Sequence, residues 1–573
     1  MKKVTNKYLS QILYEIADLL EMKDELVFKV RAYQRVAHEI EDYPKPISDI
    51  KDERKLMEIP GVGEGIAKKL MEIIETGTCN YYEQLKKMIP ADIVNLIRLE
   101  GVGPKTIKTL YDKLGIKNVK DLEEATKLHK IQKLEGFGTK SEENILKSIE
   151  SFKKRSERFR LDEALGYADS IIDKMKKDKS TVKIEIAGSL RRRKETIGDI
   201  DLLIESHNPK RSIEIFTKLD EVSRVINKGD IKASIEFYNG FQADLLVIES
   251  KRFGSALQYF TGNKDHNVKV RQIAIKKGYK LNEYGLFNKK GKYIVGKDEK
   301  EIYIKLGMEV PSPEIRRDDG EIEAALSNKL PHLIEEKDIL GDLQMHTKFS
   351  DGMNTVSEMA DEATNLGYKY IAVTEHNTEG LEVAGGVKSK DIPKYIKKIK
   401  ALKTSVKVLA GIEVNIDKDG SLTVPDEYLK QLDIVIVAIH SNFKMPKDEM
   451  TKRILKAFEN PYVNIFAHPT GRLLLGRNGY DFDFESVCRK AKEKNICLEL
   501  NAYPERLDLN GEMAKLAKSF GCKFSIGTDA HSINQLRYLK YGVFMARRGW
   551  LEKKDVINTY PYEKLIQFLK KDK

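Results

Sequence analysis

The chain has 573 residues, 41% hydrophobic and 33% charged, with 16 prolines and 38 glycines, which excludes collagenous and wholly disordered classes. No run approaches the roughly 18 apolar residues of a membrane span, so no membrane association is expected. The formal charge of +12, from 101 Lys and Arg against 89 Asp and Glu, permits a polyanionic partner, but it is spread along the chain without a basic tail.

In chain order, MKKVTNKYLSQILYEIADLL carries acids within its apolar stretch and reads as an amphipathic helix, not a signal peptide. Cys79, Cys488, Cys497 and Cys522 form no CxxC pair, so a cytoplasmic chain without a disulfide framework is expected. Next comes a repeat: LMEIPGVGEGIAKKLMEI, LIRLEGVGPKTIKTLYDKL and IQKLEGFGTKSEENILKSI each place G-x-G ahead of a helix. The glycine pairs are Gly61/Gly63, Gly101/Gly103 and Gly136/Gly138. A helix start after such a turn offers free N–H groups to a phosphate, and Lys68, Lys69, Lys105 and Lys140 add charge without base specificity. The three copies resemble helix-hairpin-helix motifs that hold a DNA backbone.

From about residue 151 a helical stretch leads to strand-like runs VKIEIAGS, GDIDLLIES, ASIEFY and FQADLLVIE, which predict a small α+β domain on a mixed sheet. Asp199 and Asp201 stand two apart on one strand and so share a face, about 7 Å apart along the chain. Asp244 sits in a neighbouring alternating run. Three converging acids repel unless divalent cations neutralise them, and two such ions suit in-line nucleotidyl transfer. Gly188 and Ser189 occupy a strand-to-helix turn suited to a phosphate, followed by three arginines.

Beyond a polar segment at 310–337, apolar runs alternate with helical ones, the pattern of a parallel α/β barrel-like domain. His346, His376, His440, His468 and His531 each end a strand-like run, with Asp351, Glu413 and Asp529 in similar places. Ligands at the C-terminal ends of barrel strands converge on one mouth. Imidazoles with carboxylates suit Zn²⁺ or Mn²⁺ in phosphoester hydrolysis.

GSLRRRKETIGDIDLLI, QADLLVI and YFTGNKDHNVKVRQIA resemble the family X DNA polymerases of the polymerase beta type, over residues 1 to about 310. The resemblance implies that Asp199, Asp201 and Asp244 bind two catalytic Mg²⁺ ions, with Asp244 taking the primer hydroxyl proton. Ser189 and Arg192, beside Gly188, match triphosphate contacts. Tyr259 and Phe260 match the wall beside the incoming sugar, with Gly262 in the following turn. Asn267 and Arg271 match the helix on the minor-groove side of the nascent pair. Asn263 stands where many members have Ser, and it keeps a hydrogen-bonding side chain. Lys69 matches the Schiff-base lysine of a 5′-deoxyribose phosphate lyase, or it serves phosphate binding alone. Lys68 would supply the neighbouring cation, since Gly65 replaces the usual supporting lysine.

GDLQMHTKFSDG, GIEVNI, HPTGRLL and GTDAHS resemble a polymerase and histidinol phosphatase (PHP) domain, implying a 3′→5′ exonuclease with phosphoesterase or apurinic-site activity. Two departures stand out: Gln344 where the family has its first His, and Glu375 where T-D-H has Asp. The expected order is a lyase-like hairpin domain at 1–85, a helical fingers-type domain at 86–150, a nucleotidyltransferase palm at 151–257, a thumb at 258–318, a linker at 319–337 and a PHP domain at 338–573. The expected role is filling short gaps in base excision repair, by a monomer acting on gapped or nicked DNA and deoxynucleoside triphosphates. The alternatives are a template-independent or RNA-tailing nucleotidyltransferase, and a DNA-end binding protein with a vestigial PHP site.

Overall fold

The structure is a computed structural model that describes residues 6–570, apart from 24, 42, 44–46, 60, 89–95, 97–103, 156–157 and 380–384. It divides into two compact units, Met1–Glu157 and Arg158–Lys573.

The first unit is helical throughout its described residues. In the helix Asn6–Met22, Leu9, Leu13, Ile16 and Leu20 recur at helical spacing and are fully buried. They pack with Val36, Ala37 and Ile40 of Val27–Glu41 and with Ala67, Leu70 and Ile73 of Glu64–Thr76. A second core gathers Ile107, Leu110, Leu122, Ile131 and Ile145 around the helices Pro104–Leu114, Val119–Lys127 and Thr139–Arg155. The last of these helices runs through the boundary expected at residue 150.

In the second unit, β1 (Phe159–Arg160), β2 (Thr181–Ile186), β3 (Thr196–Ile197), β4 (Asp199–Ser206), β5 (Val222–Lys228), β6 (Lys232–Phe237) and β7 (Gln242–Val247) build the palm. β1 pairs with β3, and the other five form a mixed sheet in the order β2-β4-β7-β6-β5. Only β4 and β7 run parallel in that sheet. Period-two alternation sends Ile200, Leu202, Ile204, Ala243, Leu245 and Val247 into one core under the helices Leu161–Lys176 and Pro209–Thr217. The same alternation leaves the acids of β4 and β7 on the opposite face.

The thumb joins the helices Phe253–Thr261, Lys264–Lys276 and Glu299–Lys305 to an antiparallel meander of β8 (Tyr279–Asn282), β9 (Gly285–Asn288) and β10 (Tyr293–Val295). The segment 319–337, expected as a linker, is packed into this domain. Its helix Glu321–Leu326 buries Ile322 and Ala325 in the thumb core. Glu321 meets the buried His266 ring at 2.6 Å, and the other nitrogen of that ring faces the Tyr303 hydroxyl at 2.9 Å.

The C-terminal domain is a seven-stranded parallel sheet in sequential order: β11 (Gly341–Asp342), β12 (Tyr370–His376), β13 (Lys407–Asn415), β14 (Ile434–Ala438), β15 (Ile465–Phe466), β16 (Cys497–Asn501) and β17 (Phe524–Gly527). The chain beyond β11 bridges to the chain beyond β17 through Met345 and Ala530, so the sheet nearly closes into a barrel. Its strands are covered on both sides, which explains continuous apolar runs such as Ile434–Ala438. Leu507, Tyr541 and Met545 of this domain belong to the palm core, so one apolar core spans both domains. Among the described residues, no helix is long and apolar enough to cross a membrane.

Candidate functional site

In the palm, register does what spacing alone leaves open. Asp201 of β4 stands directly opposite Asp244 of β7, and Asp199 lies two residues before Asp201 on the same face. Burial, with Asp199 and Asp244 close by, pushes the Asp201 carboxyl up to about 7. The Asp199 carboxyl is also raised, by burial and then by Asp244. One cation, Lys232, reaches Asp244 at 3.2 Å. Three acids crowded to this degree are a donor set for divalent cations.

Gly188 begins the short helix Gly188–Arg191 with φ of +60°, and a Cβ there would overlap the Asp201 carboxylate. The glycine therefore lets the turn carrying Ser189 and Arg192 lie against the acids. The guanidinium of Arg192 donates to the Thr261 carbonyl, and burial lowers its pKa only to about 10, so it stays cationic. Tyr259 and Phe260 end the helix Phe253–Thr261 with rings edge-on at 5.3 Å. Phe260, Asp201, Asp244 and Lys232 line one cleft of 480 Å³.

Gly262 takes φ of +64° at the turn. Asn263 then caps the helix Lys264–Lys276 by accepting from the His266 N–H at 2.9 Å, so this departure keeps a structural use. Asn267 donates to the Tyr259 carbonyl at 2.6 Å and accepts from Gln258 at 2.8 Å, while Arg271 Nε donates to the Asn267 carbonyl at 3.3 Å. These bonds tie the nucleotide-facing residues of two helices together.

In the first unit, Gly61 has φ of +80° and Gly63 is the N-cap of Glu64–Thr76. Gly136 has φ of +84°, and Gly138 immediately precedes Thr139–Arg155. Gly101 and Gly103 lie outside the described residues, as does the side chain of Lys105. Lys69 donates to the Gly65 carbonyl at 2.8 Å and lies 4.8 Å from the Tyr81 ring centre. Burial lowers its pKa, and the nearby cation that adds to this is Lys29, not Lys68. Lys68 points outward into a 2.7 Å pair with Glu64, as i,i+4 residues of opposite charge do.

At the barrel mouth, all five histidines and the three expected acids converge. His346, Asp351, His376 and His531 form one group, and Glu413, His440 and His468 form another. Asp529 sits 3.1 Å from His346 Nε2, and Glu413 lies 3.6 Å from the same nitrogen. The His346 ring stacks on His376 at 4.2 Å and on His531 at 4.5 Å. His440 Nδ1 is held by Asn415 Oδ1 at 2.6 Å and His531 Nδ1 by the Asp529 carbonyl at 2.8 Å, which leaves each Nε2 for a ligand.

His346 Nδ1, His376 Nδ1, His468 Nδ1 and Glu413 Oε2 are buried without a hydrogen-bond partner. Buried polar atoms without partners are costly, so this donor set fits transition-metal ions. Burial opposes charge at His531, yet Asp351 and Asp529 raise it to about 10. Burial likewise opposes ionisation of Asp351, Glu413 and Asp529, but the surrounding histidines hold all three well below the usual carboxylate range.

The two departures resolve differently from expectation. Gln344 is fully buried, and its amide, with nitrogen toward Glu499, donates to both carboxylate oxygens, at 3.2 Å for Oε2. Glu375 does not crowd His376. It accepts from the hydroxyls of Thr347 and Ser350 and from the Thr347 N–H at 3.1 Å, holding the loop that leads to Asp351. Glu499 is the acid that sequence reasoning missed. It accepts from the His468 N–H at 2.7 Å, and Asn501 bridges it to Asp529. Its signal was a charged residue inside the otherwise apolar run CLELNA.

Known families match the chain in five segments. They are a helix-hairpin-helix domain (4–79), a SAM-like helix-hairpin-helix tandem (92–151), the DNA polymerase beta palm (158–255), the DNA polymerase beta thumb (256–317) and a PHP domain (342–503). The DNA polymerase/3′-5′ exonuclease PolX of Bacillus subtilis is 37% identical over 572 residues, which cover 99% of each chain. A probable phosphatase of Thermoanaerobacter sp. strain X514 is 32% identical over 249 residues, covering 40% of this chain and 95% of its own. One of Clostridium novyi is 34% identical over 205 residues, covering 33% and 78%.

The palm carboxylates give a pH prediction. With the Asp201 carboxyl near 7, a cation must displace its proton below that pH. Mg²⁺, which prefers oxygen ligands, should therefore bind roughly tenfold more tightly at pH 8 than at pH 6 in calorimetry of the full chain. Equal affinities would show that Asp201 is not the titrating ligand.

Proposed function

Because the chain belongs to the PolX family, the family X DNA polymerases that carry a C-terminal PHP domain, we propose that it fills short gaps in DNA during base excision repair and trims 3′ ends at the barrel mouth. The single observation that carries the polymerase reading is the register of β4 and β7, which sets Asp201 against Asp244 with Asp199 alongside. Bound there, two Mg²⁺ ions would neutralise the attacking 3′-oxygen and the departing pyrophosphate. Asp244 takes the primer hydroxyl proton. Ser189 and the cationic Arg192, on the turn that Gly188 brings against the acids, hold the triphosphate. The Tyr259/Phe260 wall beside the cleft discourages a ribose 2′-hydroxyl, and Asn267 and Arg271 meet the nascent pair. The hairpin turns hold the DNA backbone through N–H groups at helix starts and through lysines. The protein acts as a cytoplasmic monomer on gapped or nicked DNA and deoxynucleoside triphosphates.

The test of this reading is Asp201→Asn. The variant should lose nucleotide addition on a gapped duplex while keeping DNA affinity and hydrolysis, because the lost charge acts on the chemical step. Normal extension would refute the assignment.

Lys69 serves as the nucleophile of a weak 5′-deoxyribose phosphate lyase, its amine kept partly neutral by burial and by Lys29. Borohydride should trap a DNA adduct in the wild type and much less in Lys69→Ala. Lys29→Ala should trap less at neutral pH and recover at higher pH, since removing a neighbouring cation raises the Lys69 pKa. Equal trapping in all three proteins would place the nucleophile elsewhere.

At the barrel, His346, Asp351, His376, Glu413, His440, His468, Asp529 and His531 hold Mn²⁺ or Zn²⁺, which would activate water toward the 3′-terminal phosphodiester or an apurinic-site ester. Gln344 offers a neutral amide where an imidazole would bind more tightly, so the exonuclease is weak and needs high Mn²⁺. In Gln344→His the imidazole can direct one N–H at Glu499 and present its other nitrogen to the site. The exonuclease rate should rise and the Mn²⁺ requirement fall, each by roughly tenfold. An unchanged rate and requirement would mean that Gln344 is already a competent ligand.

A further inference from the structure

The helix Leu539–Arg548 of the barrel domain ends against the palm turn that carries Arg192. Arg548, only 4% exposed, donates from Nη1 to the Arg192 carbonyl at 2.7 Å. Its Nη2 lies 3.8 Å from the Glu195 carboxylate, which also faces Arg472 Nη1 of the barrel domain at 3.7 Å. Between them Arg193 takes φ of +53° and sets its guanidinium over the Phe544 ring at 4.6 Å. Arg192, Arg193 and Glu195 are thus each gripped by a barrel-domain side chain. The Arg192 guanidinium is fixed at its far end by the Thr261 carbonyl.

This turn cannot hold itself. Gly188–Arg191 is a single turn of helix, and the residues after it pass through a left-handed conformation that side chains rarely adopt. An apolar residue in place of Arg548 would fill the seam without desolvating a guanidinium. Only a donor, however, fixes the carbonyl of the residue that points into the nucleotide site. We infer that Arg548 is a positioning residue for nucleotide binding in the palm: by holding the Arg192 carbonyl it sets the direction in which the Arg192 guanidinium leaves the chain, so the barrel domain controls the polymerase's affinity for deoxynucleoside triphosphates without touching them. The inference rests on the reading of Arg192 as a triphosphate contact.

The test is steady-state nucleotide addition on a primed template by the full chain and its Arg548→Ala, Arg548→Lys, Phe544→Ala and Arg192→Ala variants. Exonuclease rate and thermal unfolding are followed in parallel. Arg548→Ala should raise KM for the nucleotide roughly tenfold, the loss expected for one buried hydrogen bond to a positioned group, with kcat and exonuclease rate within about twofold. Arg548→Lys, which keeps one donor, should recover part of the KM. A wild-type KM in Arg548→Ala, with a raised KM in Arg192→Ala, overturns the inference and leaves the Arg192 reading standing. A wild-type KM in Arg192→Ala overturns that reading, and the inference with it. A parallel fall of both activities with the melting temperature marks a merely structural role and also overturns it. Should Arg548→Ala fail to fold, Arg548→Lys and Phe544→Ala decide: a raised KM in both with normal exonuclease supports the inference, and a wild-type KM in both refutes it.

Discussion

Three carboxylates held on adjacent parallel strands, with a single lysine close enough to pair with one of them, set the terms for the palm. Everything nearby accommodates that repulsion. Gly188 has no side chain because the Asp201 carboxylate occupies the space, and the Arg192 cation sits beyond the same turn. The barrel mouth solves the opposite problem. There acids and imidazoles balance one another so well that His531 holds a proton up to about 10. An incoming metal must expel that proton, whereas in the palm it replaces missing positive charge. The two centres therefore respond to pH for different reasons, although both bind cations.

The same unit shows how firmly the two halves are joined. Leu507, Tyr541 and Met545 complete the palm core, Arg547 Nε pairs with Glu314 at 2.7 Å, and Lys515 pairs with Asp319 at 3.1 Å. The polar stretch at 319–337 is a docked element of the thumb, because Glu321 holds the buried His266 and Ile322 has a core to enter.

Much of this was legible in the sequence where chemistry and spacing coincide. Asp199 and Asp201 share a face because strands alternate, and the five histidines announce a barrel mouth because each ends an apolar run. What spacing cannot convey is which distant residue arrives beside which. Lys29 lies 40 positions before Lys69 in an unremarkable helix, and it supplies the cation that adjacency assigned to Lys68. Glu499 looked like one more strand residue, and only closure of the barrel places it over Gln344. Glu375 read as a distortion of the T-D-H pattern, whereas its extra length reaches the Thr347 and Ser350 hydroxyls. In each case tertiary proximity, not local pattern, decides the role.

The shared palm core bears on how such a chain can be cut. Sequence comparison divides it cleanly near residue 340, and the phosphatase relatives exist as barrels alone. The polymerase half has no equal independence. Removing the barrel would strip Leu507, Tyr541 and Met545 from the palm, open an apolar scar and free the turn of Arg192. A truncated polymerase that failed would be reporting that wound, and its failure would say nothing about whether the exonuclease takes part in synthesis. Point substitutions that silence one centre while leaving the seam closed are the cuts this architecture tolerates.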